Sequence, residues 1–194
     1  MPLPVLETDR LTLRSFTTDD ALRVRTLAGE KAIAAVTALI PHPYPDGAAE
    51  EWIATHEPEF AAGKSAQFAL TVKATGELIG AMGLIISAEH RHAELGYWVG
   101  VPYWGQGYAT EAAGRILAFG FEKLDLIRIH AHHYAHNPAS GRVMEKLGMQ
   151  REGVLRQHVV KWGAVYDVVL FGILREEWEH NRANTARPER DNGR

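Results

Sequence analysis

Gly105, Gly107 and Ala109 put minimal side chains at every second position within residues 102–112, Pro-Tyr-Trp-Gly-Gln-Gly-Tyr-Ala-Thr-Glu-Ala. An alternating apolar segment at 93–99 runs straight into this stretch and reads as a strand. A helix-period segment at 110–121 follows it. At such a junction successive backbone N–H groups can converge on one point, and the helix N-terminus adds free donors and the positive end of its dipole. The chemistry is that of an anion cradle for a phosphate or pyrophosphate. The same spacing also fits a plain strand-to-helix turn whose glycines only supply positive φ.

Glu94 is the second group of interest. It shares a strand face with Gly96 and Trp98 inside an otherwise apolar run. Partial burial among Leu95, Tyr97 and Trp98 is expected to raise its pKa and suit it to accept a proton. The alternative is an exposed strand carboxylate paired with Arg91 or another cation. His92, two residues earlier on the same face, is the second base candidate. At the strand end, Val99-Gly100-Val101 reads as an interruption, with Gly100 suggesting a bulge and Pro102 stopping the ladder, so that unpaired N–H groups could serve an oxyanion. His130, His132, His133 and His136 crowd one segment. With no cysteine and no nearby acidic partner in sequence they read as solvated or hydrogen-bonded histidines, and no metal is expected.

These groups need elements to hold them. Residues 11–16 alternate as a strand, and Thr17-Thr18-Asp19-Asp20 offers N-cap oxygens for a helix through Leu27. Three prolines at 41–45 make residues 37–46 an ordered loop. Asp46 is placed to cap a helix over 48–61. Residues 67–73 and 78–87 form a hairpin around Thr75-Gly76, and 92–99 is a third antiparallel strand. After the 110–121 helix come a strand at 127–134, a short helix from Asn137-Pro138 to Gly148, and strands at 149–152, 155–162 and 166–174. From Glu176 the composition turns polar, so 179–194 is expected to be a disordered tail behind a single domain at 1–178. This order predicts an α+β fold with a mixed sheet.

Composition narrows the classes. A chain of 194 residues suffices for one domain with a full core. A net charge of −3 without a long Lys/Arg run argues against a nucleic-acid surface. The absence of cysteine removes disulfides, thiolate metal sites and a Cys nucleophile, and is compatible with a cytoplasmic setting. No apolar run reaches membrane-spanning length, so no membrane partner is expected.

Gly96-Tyr97-Trp98-Val99-Gly100, the 102–112 stretch, Asn137-Pro138-Ala139-Ser140 and Met144-Glu145-Lys146-Leu147-Gly148-Met149 together resemble the GNAT acyltransferase superfamily. More narrowly they resemble its ribosomal-protein alanine N-acetyltransferase-like (Rim-type) branch. Arg10-Leu11-Thr12-Leu13-Arg14, Lys161-Trp162-Gly163 and Asp167 match the same branch, so the resemblance spans residues 6–178. It implies a mostly antiparallel central sheet flanked by helices, splayed between the strands at 92–99 and 127–134. It implies that backbone groups around Gly105, Gln106, Gly107, Tyr108, Ala109 and Thr110 hold acetyl-CoA. The interrupted strand end then sets the N–H groups of Val99 and Val101 to face the thioester carbonyl, and Asn137 can bond the pantetheine arm. Trp104 departs from the Arg or Gln common in the wider superfamily, which removes one side-chain phosphate contact. Glu94 matches an acidic residue that serves as base, directly or through water. Where many members carry a tyrosine that protonates the leaving thiolate, this chain has Met144, which cannot. Ser140 is the replacement, with bulk water as the alternative. Ser140 and Asn137 also suit helix capping.

The implied reaction is acetyl transfer to a primary amine by direct attack in a ternary complex, because no Cys exists and Ser140 has no obvious adjacent base. The branch implies a protein N-terminal α-amine as acceptor. An α-amine has a pKa near ~7.8 and a lysine near ~10.4, so lysine costs about 3.5 kcal/mol more to neutralise. A small-molecule amine is the alternative acceptor, since the loops at 37–46 and 162–166 would build the pocket. A non-catalytic acyl-CoA-binding module is the rival from another class. A homodimer through the edge strands is compatible with all three.

Overall fold

The computed structural model describes residues 2–185. In chain order the elements are β1 (Leu6–Glu7), β2 (Leu11–Arg14), α1 (Ala21–Ala28), α2 (Lys31–Ala34), α3 (Ala48–Ala61), β3 (Ser65–Val72), β4 (Leu78–Ser87) and β5 (His92–Val99). They continue with α4 (Tyr108–Lys123), β6 (Arg128–Tyr134), α5 (Pro138–Lys146), β7 (Gln150–Lys161), β8 (Ala164–Leu174) and α6 (Arg175–Thr185). The described strands form one eight-stranded sheet in the order β1-β2-β3-β4-β5-β6-β8-β7. The neighbours pair antiparallel except β5 with β6, which run parallel. This is the expected α+β architecture.

The β5–β6 pair creates an opening in the sheet. Its register covers His92 with Arg128, Ala93 with Ile129 and Glu94 with His130, and pairing stops there. On its other edge β5 stays paired with β4 as far as Gly80 and Val99. The ladder thus holds β5 to the sheet on one side while β6 leaves it on the other. That is the expected splay.

Alternation along β5 gives the opening two chemically different sides. Ala93, Leu95 and Val99 enter a core with Ala112, Ala113, Ile116 and Leu117 of α4 and Met144 of α5, and Tyr97 packs against it. Trp98 enters a second core with Ala21, Val24 and Leu27 of α1 and Ala49 and Ile53 of α3. Glu94 and Gly96 share the face of Trp98.

Several local expectations are corrected. Asp46 does not cap α3: Gly47, at φ +80°, takes the N-cap position, and Asp46 pairs with Arg25 at 2.6 Å. Helix α4 starts at Tyr108, two residues ahead of the expected Thr110, because Gly107 in the left-handed region turns the chain into it. The strands expected at 149–152 and 155–162 are one edge strand, β7, with register shifts at 151/153 and 155/159. The second shift is held by Asp167, whose Oδ1 accepts the Gln157 N–H at 2.8 Å while Gln157 sits at φ +51°. The loop at 37–46 is irregular as expected, and Lys161 Nζ donates to its Thr37 and Ile40 carbonyls.

The expected tail at 179–194 is also corrected in part. Residues 179–185 continue α6, since Trp178 is buried against Phe121 with ring centroids 5.2 Å apart. The remainder of that expectation, 186–194, lies outside the described residues. Among the described residues no helix is long and apolar enough to cross a membrane.

Candidate active site

A 3-10 turn, Val101–Tyr103, leads from β5 to Gly105 and Gly107, whose φ values are +74° and +82°. The first α4 bond runs from the Glu111 N–H to the Gly107 carbonyl at 3.1 Å. The N–H groups of Tyr108, Ala109 and Thr110 precede it and have no acceptor within the helix. Gly105, Gln106 and Gly107 are exposed. Free donors, an open approach and a long helix behind them are the features an anion site needs.

Two residues brace this loop. Arg10 Nη1 donates to the Gln106 carbonyl at 3.0 Å, the guanidinium lies 4.6 Å from the Tyr108 ring centre, and it pairs with Glu111 at 2.6 Å. In the sequence Arg10 stands out only as part of the matching 10–14 motif. Trp104, the departure from the wider pattern, donates its indole N–H to the Val99 carbonyl at 2.6 Å and so ties the end of β5 to the loop. The bulge expected at Gly100 is absent. The β4–β5 register is unbroken through Val99, and the Gly100 N–H donates to the Ile79 carbonyl at 2.8 Å. Glycine is there for close packing: an added Cβ would meet Leu27 Cδ2 at 2.9 Å. One of the N–H groups expected to be unpaired is therefore used by the sheet.

At the point where β5 and β6 part, Glu94 Oε1 lies 3.0 Å from His132 Nδ1, and Oε2 lies 3.9 Å from His130 Nε2. The expected rise of the Glu94 pKa does not occur. The hydrogen bond from His132 outweighs burial and holds the carboxyl below its ordinary value. The same bond raises His132, whereas burial lowers His130. Arg91, the alternative partner, is engaged by Asp125 at 2.6 Å. His92 sits edge-on to His130 with centroids 5.3 Å apart, and its buried Nδ1 has no hydrogen-bond partner among the described residues. Gly96 is exposed on the Glu94 face, and an added Cβ there would meet nothing within 4 Å. Between Glu94 and Trp98 the floor is open.

On the opposite face, Ser140 Oγ and Tyr97 Oη share a hydrogen bond of 2.7 Å, and burial pushes the Tyr97 phenol up. The Ser140 hydroxyl is bound to Tyr97, and no bond from a backbone N–H to it is found among the described residues. Asn137 occupies the N-cap position of α5 without a side-chain capping bond. Met144 is buried in the core. Ser140→Ala and Tyr97→Phe delete the same hydrogen bond, so each should cost ~0.5–1.5 kcal/mol of stability and show similar melting temperatures. Their kinetics should differ. A turnover loss with Ser140→Ala alone identifies the serine as the proton donor, and a loss with Tyr97→Phe alone transfers that role to the phenol.

Comparison with known proteins fits this geometry. Residues 10–150 match the Acetyltransferase (GNAT) domain family. The uncharacterized N-acetyltransferase YoaA of Bacillus subtilis (strain 168) is 32% identical over 173 residues, 89% of this chain and 97% of that protein. The [ribosomal protein uS5]-alanine N-acetyltransferase of Escherichia coli (strain K12) is 26% identical over 108 residues, 55% of this chain and 56% of its own. The Vibrio cholerae spermidine N-acetyltransferase in complex with CoA and spermine aligns with a TM-score of 0.77 at 25% identity, covering 89% of this chain and 99% of that one. The chain belongs to the GNAT acetyltransferase family. It is an N-acetyltransferase with acetyl-CoA as its co-substrate, and the non-catalytic alternative is set aside.

Proposed function

We propose that this enzyme acetylates the N-terminal α-amine of a protein by direct attack on acetyl-CoA in a ternary complex. The observation that carries the reading is the placement of two proton-handling pairs, Glu94–His132 and Tyr97–Ser140, on opposite faces of the opening beside the cradle. The CoA pyrophosphate lies on backbone groups of Gly105, Gln106, Gly107, Tyr108, Ala109 and Thr110. Asn137 bonds the pantetheine arm, and the thioester lies beside Val99 and Val101. The Glu94–His132 pair takes the amine proton, and Ser140 protonates the departing thiolate. The relative that acts on the alanine of ribosomal protein uS5 supports an α-amine acceptor, as does the lower pKa of such amines. A homodimer along edge strand β7 is part of the same proposal, supported by the exposed side chains of Val154, Leu155 and Val160.

Thiol release measured on a panel of amines tests the acceptor. Peptides with a free N-terminus should be turned over and the same peptides pre-acetylated at the N-terminus should not. Turnover of a polyamine with no reaction on any free peptide N-terminus would replace this acceptor class.

The acceptor's entry over Gly96 gives a further expected outcome. Gly96→Val keeps a strand conformation, meets no neighbour on folding and fills the floor between Glu94 and Trp98. The acceptor KM should rise at least ~10-fold, about 1.4 kcal/mol, with CoA affinity unchanged. An unaltered acceptor KM would put the amine elsewhere.

A further inference from the structure

We infer that the proton acceptor of the reaction is the Nε2 atom of His132, and that Glu94 is the positioning residue that orients this imidazole. The inference rests on the acetyl-transfer reading above and assigns the two roles within its base. Three observations carry it.

The first is connectivity. Glu94 Oε1 meets the Nδ1 atom of His132 at 3.0 Å. A carboxylate accepts hydrogen bonds, so this contact favours the neutral tautomer with its proton on Nδ1 and its lone pair on Nε2. No hydrogen bond to His132 Nε2 is found among the described residues, so the basic nitrogen is unoccupied. Glu94, by contrast, has one oxygen engaged by His132 and the other facing His130 at 3.9 Å.

The second is position. The β5–β6 ladder ends at the Glu94–His130 pair, so His132 stands one strand repeat into the separated part of β6, on the same face as His130. Its ring reaches back across the mouth of the opening to Glu94. Gly96, one repeat along β5 on the Glu94 face, leaves the space opposite without a side chain. An amine entering over Gly96 meets the imidazole where the strands diverge.

The third is basicity. Glu94 is held below the ordinary carboxylate value by His132, which makes it a weak base, whereas His132 is raised by Glu94. Glu94 is the charged group that acts on His132. His130, next on the same face, feels Glu94, Arg128, His92 and His132, and burial keeps it on the neutral side. Arg128 is itself ion-paired with Glu152. Opposite His132 on β8 stands Leu170, which carries no charge.

The step balances simply. The amine nitrogen bonds to the thioester carbonyl carbon, the C–S bond breaks, and the thiolate is protonated from the Ser140 face. The amine proton goes to His132 Nε2, and the resulting imidazolium is stabilised by the Glu94 carboxylate.

The sign of the pH dependence follows. His132 must be neutral to act, so turnover rises with pH through a limb set by its raised pKa, above ~6.5. A Glu94 base would instead place the enzyme's limb below ~4.5, outside the neutral range. The acceptor amine contributes its own ionisation equally to every variant, so differences between variants belong to the protein.

The test compares His132→Gln and Glu94→Gln with a saturating peptide acceptor, checking first that both variants bind CoA as wild type. His132→Gln should lower kcat by roughly 10²–10⁴-fold and remove the enzyme's own limb, leaving that of the acceptor amine alone. Glu94→Gln should lower kcat less, by about tenfold, and move the limb to lower pH as the imidazole returns toward ~6.5. The His132 ring titration followed by NMR should show the same downward move in Glu94→Gln, whether or not a given acceptor reacts. Failure of every acceptor would therefore count against the proposed function and leave the imidazole titration readable. A larger kcat loss in Glu94→Gln than in His132→Gln, or a pH profile in His132→Gln that matches wild type, overturns the assignment and makes Glu94 the proton acceptor.

Discussion

Coenzyme A should bind a Gly107→Val variant at least ~10-fold more weakly than the wild type, a loss of about 1.4 kcal/mol. The reason is backbone geometry more than bulk. Gly107 sits at φ +82°, and a Cβ there would touch only Arg10 Nη2, at 3.4 Å. A β-branched residue in that region costs ~1–3 kcal/mol, so the loop either carries the strain or relaxes. Relaxation turns the Tyr108, Ala109 and Thr110 N–H groups away from their common point, and the Arg10 bond to the Gln106 carbonyl lengthens with it. Gly107→Ala should retain much of the effect, because alanine meets the same φ penalty with one methyl group. Isothermal calorimetry reads both. Equal affinity in Gly107→Val would mean that the pyrophosphate does not depend on this loop.

The glycine turn at the start of α4 was legible because everything that makes it is local: glycine spacing, the strand before it and the helix after it. What was not legible is the set of contacts between distant segments. Tyr97 and Ser140 are 43 residues apart, and Arg10 and Gln106 are 96 apart. Each meets its partner only once the sheet register is set, and no local pattern encodes the parallel register of His92 with Arg128. The pKa of Glu94 shows the consequence. Its sequence neighbours Leu95, Tyr97 and Trp98 suggested desolvation and an upward shift. The residue that decides the direction, His132, arrives from a different strand after the whole of α4 and lowers it instead. The edge strand β7 was divided for a related reason. Its residues are largely exposed, so no buried face marks the alternation, and the Asp167 side chain that bridges the shift at Gln157 lies on another strand.

Composition also misled at the C-terminal helix, and there the expected effect is on stability. Residues 175–185 are mostly polar, and a composition average hides one large apolar side chain. Trp178 is 8% exposed and packs on Phe121, which is buried in the α4 core. Arg182 lies 4.6 Å over the indole ring and pairs with Glu122. Trp178→Ala should therefore destabilise the protein by ~3–5 kcal/mol, the range for removing a large aromatic from a packed site. For a chain of this size that corresponds to a melting temperature roughly 6–20 °C lower. Arg182→Ala is the control. It removes an exposed ion pair and one face of the indole stack, and should cost no more than about 1–2 kcal/mol. Below the transition both variants should bind CoA normally, since Trp178 packs on Phe121, near the end of α4 opposite the Gly107 turn. If Trp178→Ala melts with the wild type, α6 is not part of the cooperative unit, and the fold would end with β8.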